Sequence, residues 1–179
     1  YDAEKGLYRW RGDYVDRDFI IDQLAAISRK YPLAFVEDAL QEEDFEGFKL
    51  ASERINTVIV GDDFLCTSLD RAEKAVSMGA ARGMIFKPNQ AGTLTEALRT
   101  AKFMMDRGLL VIPSGRAGGT LDSPEKEIAV ALGAWVTKTG APRSGSRTNG
   151  FNFLLRTSEE LGVPQTDVMQ LEIFKHLHR

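Results

Sequence analysis

Thr57-Val58-Ile59-Val60-Gly61-Asp62-Asp63 sets the fold: four residues suited to a strand run without polar alternation, then come a glycine and two carboxylates. An unbroken apolar run marks a strand buried on both faces, as in a parallel sheet covered by helices. Four similar runs surround it, Leu33 to Val36, Gly83 to Phe86, Leu109 to Ile112 and Ala134 to Val136. Their last residues Val36, Val60, Phe86, Ile112 and Val136 lie 24, 26, 26 and 24 positions apart, which is the length of one strand-helix unit. Helical patterns fill the intervals. From Thr93 to Arg107, the residues Leu94, Ala97, Leu98, Ala101 and Met105 share one face of a 3.6-residue period, with Thr93 as N-cap and Gly108 as the stop. Similar helices are expected from Asp44 to Arg54, Leu69 to Met78, Pro124 to Gly133 and Thr148 to Leu161, with stops at Gly79 and Gly162.

This alternation predicts an α/β fold, a partial TIM-like β/α barrel of about five consecutive units over residues 1–162, followed by a tail or helix at 163–179. The competing architecture is a doubly wound open sheet, but the glycine-rich phosphate turn expected after its first strand is missing. A closed barrel has eight units, so five would expose sheet edges unless another chain or a rearranged terminus covered them. The 179 residues carry a net charge of −3 and are 43% hydrophobic, a composition that argues against a basic nucleic-acid binder and against whole-chain disorder. No apolar run reaches the roughly 20 residues of a membrane span. The one cysteine, Cys66, precludes an internal disulfide and suits a reducing, cytoplasmic setting. Tyr1, in place of an initiator methionine, suggests a piece of a longer chain.

Glu37, Asp62, Lys87 and Lys138 each follow a strand run directly or within two residues, so a barrel would gather them at its carboxyl-terminal mouth, where barrel active sites sit. Two carboxylates and two lysines around one cavity suit a divalent metal with oxygen ligands and a lysine base. Singly, each reads as a solvated strand-end charge. Their recurrence at equivalent places favours a site.

Val36-Glu37-Asp38, Val60-Gly61-Asp62-Asp63, Phe86-Lys87-Pro88-Asn89-Gln90-Ala91-Gly92 and Thr137-Lys138-Thr139-Gly140-Ala141-Pro142 resemble, in order and spacing, the successive signatures of the enolase family. The resemblance extends from Leu7-Tyr8 to Phe151-Asn152-Phe153-Leu154-Leu155-Arg156 and thins after Gly162. It implies the carboxyl-terminal part of an enolase barrel and Mg²⁺-dependent interconversion of 2-phosphoglycerate and phosphoenolpyruvate, a phosphorylated small-molecule substrate. By that resemblance Glu37 and Asp62 bind Mg²⁺, Lys87 takes the carbon 2 proton, and Lys138 contacts the substrate carboxylate. Metal ions that stabilise the resulting ene-diolate beside a lysine base are the arrangement known for the enolase superfamily.

The loop after the fourth strand departs from the family pattern Ser-His-Arg-Ser-Gly-Glu-Thr-Glu-Asp, reading Ser114-Gly115-Arg116-Ala117-Gly118-Gly119-Thr120-Leu121-Asp122. Arg116 retains the phosphate-binding guanidinium, whereas Gly115 and Ala117 remove a ring and a hydroxyl donor. For the third metal carboxylate the register leaves Tyr1 or, with a one-residue slip, Asp2. The resemblance also assigns the general acid and lid loops to an amino-terminal part, so the 179 residues alone are expected to be poorly active, working as a homo-oligomer or paired with that part. Two other readings stay open: a weakly catalytic homologue kept for binding or assembly, and a superfamily enzyme with another substrate. His176 and His178 read as solvated helix residues, Cys66 as a small buried or half-buried side chain, and Gln41-Glu42-Glu43-Asp44 as helix-start charge. Arg143 and Arg147 border either a phosphate site or merely the rim.

Overall fold

The computed structural model describes residues 1–122, 124–163 and 167–178. In chain order the elements are β1 (Tyr8–Trp10), β2 (Asp13–Val15), α1 (Arg17–Lys30), β3 (Phe35–Glu37), α2 (Phe45–Arg54), β4 (Val58–Gly61), α3 (Leu69–Met78) and β5 (Gly83–Phe86). There follow α4 (Pro88–Ala91), α5 (Leu94–Met105), β6 (Leu110–Pro113), α6 (Glu125–Ala131), α7 (Gly145–Leu161) and 3₁₀ turns at Val168–Gln170 and Glu172–His178.

Strands β3 to β6 pair in sequence order and all in parallel, with Val36 opposite Ile59, Val60 opposite Gly83 and Met84 opposite Val111. Alternate residues face opposite layers. Ile59, Met84, Phe86 and Val111 pack outward against helical residues such as Phe48, Ala51, Ala72, Ala75, Ala101 and Met104. Val58, Val60, Ile85, Leu110 and Ile112 form the inner layer, which explains the unbroken apolar runs. Small side chains on the helices let them lie close to the sheet, and the rings of Phe48 and Phe64 stack at 3.7 Å.

The sheet curls. Glu37 ends its first strand and Lys138 follows its last, a separation of about 19 Å between chain segments if the sheet were flat. Yet Lys138 Nζ lies 2.5 and 2.7 Å from the two oxygens of Glu37, so the arc bends until its ends meet across the mouth.

The fifth expected strand, Ala134 to Val136, does not form. Only a parallel bridge between Ser114 and Lys138 extends the ladder. Pro113 supplies the reason: its carbonyl accepts from Lys138 N–H at 3.0 Å and from the Thr137 hydroxyl at 2.9 Å, but proline has no N–H with which to pair in return.

The helices fall where expected to within three residues, with Thr93 accepting from Glu96 N–H and Gly79 and Gly162 in the left-handed conformation. The sequence reading passed over the single turn α4 and two larger elements. One is the β1–β2 hairpin, turned by Arg11 and Gly12 at φ of 50° and 105°. The other is α1, whose cap Asp16 accepts from Phe19 N–H.

His176 corrects an expectation. It is half-buried rather than solvated, with Nε2 at 2.8 Å from the Leu33 carbonyl and 3.3 Å from Thr57 Oγ1, because the terminal segment folds back under the sheet. The matching expectation for His178 concerns a side chain outside those described.

Candidate active site

Each of the four residues singled out by its place after a strand stands at the carboxyl end of the arc. Glu37 closes β3, Asp62 follows β4, Lys87 follows β5 and caps α4, and Lys138 holds the bridge to Ser114. Lys87 Nζ pairs with Asp62 Oδ2, Lys138 holds Glu37, and Lys138 Nζ is 3.9 Å from that same Asp62 oxygen. Two carboxylates and two ammonium groups thus form one continuous cluster. Lys87 and Asp62 are almost enclosed, so the pair is poorly screened by water, whereas Lys138 and Glu37 are more open.

Asp38 sets the loop that carries Asp62. Its backbone is left-handed, at φ 45°, and its carboxylate accepts from Asp62 N–H at 2.8 Å, Asp63 N–H at 2.9 Å and Phe64 N–H at 3.4 Å. One side chain therefore gathers three amides at the turn after β4. Asp38, Asp62 and Asp63 each offer a carboxylate oxygen within 4.8 Å of the others. Such hard oxygen donors fit a divalent cation of the Mg²⁺ class.

Thr67 and Gln90 steady the cluster from the outer side. The buried Thr67 hydroxyl accepts from Lys87 N–H at 3.0 Å and donates to Gln90 Oε1 at 2.9 Å, and Gln90 Nε2 donates to Asp62 Oδ1 at 3.2 Å. Cys66 and Thr67 sit consecutively at φ 48° and 49°, a strained pair in which this network holds Thr67 and the Asp62 carbonyl accepts from Cys66 N–H at 2.7 Å. Cys66 is half-buried, as expected, and burial pushes its thiol pKa up. Sequence reasoning gave neither Thr67 nor Gln90 a role, although Gln90 lies inside the quoted stretch after Phe86.

The remaining candidates lie at different places. Asp2 forms a local turn: its carboxylate accepts from Glu4 and Lys5 N–H at 3.2 Å each and pairs with Lys5 Nζ at 3.2 Å, with the Lys5 amide chiefly holding its pKa down. Arg116 lines a small cleft with Thr120, Glu125, Lys126, Thr139 and Arg147. Arg147 donates to the Thr139 carbonyl at 2.7 Å and to that of Arg116 at 3.4 Å, tying the two loops together. Gly115 has a spatial meaning too: a Cβ there would stand 2.6 Å from Glu125 Oε1, so the Glu125 side chain fills the room that a larger residue 115 would use.

A family model described as "Enolase, C-terminal TIM barrel domain" matches residues 11–168. The chain belongs to the enolase family. It is 42% identical over 164 residues to an enolase of Methanococcus maripaludis, covering 91% of this chain and 38% of the relative. Identity to the enolase of Methanopyrus kandleri is 43% over 163 residues, with 90% and 38% covered, and to that of Aeropyrum pernix 40% over 159, with 88% and 37% covered. The chain thus spans under two-fifths of the length of these curated enolases. Among the described residues no helix is long and apolar enough to cross a membrane.

Proposed function

We propose that this chain carries the metal and base side of an enolase-type site, acting on 2-phosphoglycerate and phosphoenolpyruvate with Mg²⁺. The observation that supports it is the meeting of Glu37, Asp62, Lys87 and Lys138 in one cluster at the mouth of the arc, within a family match that covers them all. Glu37 and Asp62 are the metal carboxylates of this reading, with Asp2 the weakest member of the set, since its oxygens already serve a local turn. A bound Mg²⁺ would supply Lewis-acid stabilisation of the substrate carboxylate.

A proton beside a carboxylate is weakly acidic, so its removal needs a base held at fixed geometry. Lys87 meets that requirement: its backbone is pinned by Thr67, its side chain lies in a nearly closed pocket, and its Nζ is aimed at the carboxylate cluster. In the reaction Lys87 Nζ takes the carbon 2 proton and its bonding pair stays with the substrate. Lys138 holds the substrate carboxylate, and Arg116 its phosphoryl group.

The test is exchange of the carbon 2 proton of 2-phosphoglycerate in D₂O, followed by NMR with the 179-residue chain and Mg²⁺. Deuterium incorporation is expected, at a rate lowered at least a hundredfold in Lys87→Ala, the usual scale for loss of a positioned base. Exchange that persists unchanged in Lys87→Ala removes the base assignment. Absence of exchange by a chain shown to be folded and to bind Mg²⁺ removes the reaction.

A further inference from the structure

Beneath the site, the concave face of the sheet is covered by the end of the chain. In an eight-stranded barrel, layers of side chains from the strands fill this space. Here Ile173 and Phe174, 3% and 2% exposed, join Val58, Val60, Ile85, Leu110 and Ile112 in one buried cluster, flanked by Leu171 and Leu177. The segment's pattern fits the task. Leu171, Phe174 and Leu177 recur every third residue, the period of a 3₁₀ turn, with Phe174 and Leu177 inside the turn and Leu171 just before it, while Glu172 and Lys175 pair with each other on the exposed side. His176 anchors the segment at the amino ends of β3 and β4 through the Leu33 carbonyl and Thr57. The site residues stand at the opposite ends of those strands, so the segment forms a floor and leaves the mouth open. The family match ends at residue 168, before this segment begins.

We propose that residues 171–177 act as a docked plug, an internal ligand of the concave face that detaches without unfolding the rest of the molecule. The face is thereby a docking surface for an apolar, aromatic-bearing helical turn, and its occupant is residues 171–177 of this same chain. Two observations favour docking over permanent integration. The plug contributes only two fully enclosed side chains, and it is built from 3₁₀ turns, whose hydrogen bonds have poorer geometry than those of an α-helix. The proposal does not depend on the enolase reading.

Hydrogen exchange on the full chain, read by mass spectrometry across low denaturant concentrations, tests it. Segment 171–177 is expected to exchange through a local opening with weak denaturant dependence, while α2 and α3 exchange only on global unfolding. Phe174→Ala is expected to speed exchange at least tenfold in the plug, leaving β4 to β6, α2 and α3 within twofold. Lys175→Ala, on the exposed side, is expected to change neither. Three results overturn the proposal: a segment as unprotected as a free peptide, a segment that opens only with the whole molecule, or a Phe174→Ala effect spread evenly over all elements.

Discussion

Lys126 is a lysine 3% exposed in a helix that faces the sheet, its Nζ bonded to the Thr137 hydroxyl at 3.3 Å and its stem lying over Gly150. Burial pushes its pKa below the ordinary lysine value, and Glu125 only partly offsets this. The unfolded chain therefore binds more protons at this position than the folded one, and its contribution to stability rises with pH through the window between the lowered folded pKa and the ordinary one. Lys126→Met, which keeps the volume without the charge, is expected to stabilise at neutral pH by about 1 kcal/mol. That gain should shrink as the pH is raised toward 10, because the wild-type lysine then sheds its proton. Urea melts at several pH values give the comparison, and a gain that grows with pH would contradict the sign. Asp38 acts through geometry instead. Asp38→Ala removes the acceptor for three amides and leaves a non-glycine residue at positive φ, so a loss of about 2 kcal/mol is expected, with weaker Mg²⁺ binding because the turn bearing Asp62 loosens.

Among the elements, β5 fits its neighbours at Gly83. A Cβ there would stand 2.8 Å from Val60 Cγ2 and 3.1 Å from Leu110 Cβ, both on adjacent strands that cannot yield cheaply. Gly83→Ala is expected to cost about 1–3 kcal/mol in a denaturant melt. At Gly115 the obstructing atom is the tip of a flexible Glu125, so Gly115→Ala should stay within about 1 kcal/mol of wild type. The same contrast explains what the sequence revealed. Strands such as Val58–Val60 and helices such as Leu94–Met105 announce themselves because both sheet faces are buried and one helix stripe is apolar. Pro113 was legible as a residue but not as the missing donor that ends the ladder, since that depends on which way its carbonyl points. The β1–β2 hairpin hid behind Arg11, an unusual residue for a positive-φ turn. The floor under the site was illegible for a different reason, as it joins residues 171–177 to strands more than 50 positions away and no local period encodes that contact.

At the scale of the whole molecule, the cluster at the mouth joins segments far apart in sequence: Lys138 to Glu37 across 101 positions and Lys87 to Asp62 across 25. A divalent ion shared by Glu37 and Asp62 would therefore bind the folded arc and not the unfolded chain, in which those carboxylates are independent. Such binding adds to stability as RT ln(1 + [L]/Kd), about 2.7 kcal/mol when the ion is at a hundred times Kd. For a domain of this size that corresponds to a rise in Tm of roughly 5–10 °C. The two lysines oppose it, since each ammonium group occupies oxygens the ion would use, so the affinity is expected in the millimolar range and Lys138→Ala is expected to tighten it. Melting curves over a series of Mg²⁺ or Mn²⁺ concentrations, reversed with a chelator, measure the effect. The Glu37→Gln, Asp62→Asn double variant should lose the dependence. An equal rise in Tm for that variant would assign the binding to other carboxylates, with Asp38 and Asp63 the nearest alternatives.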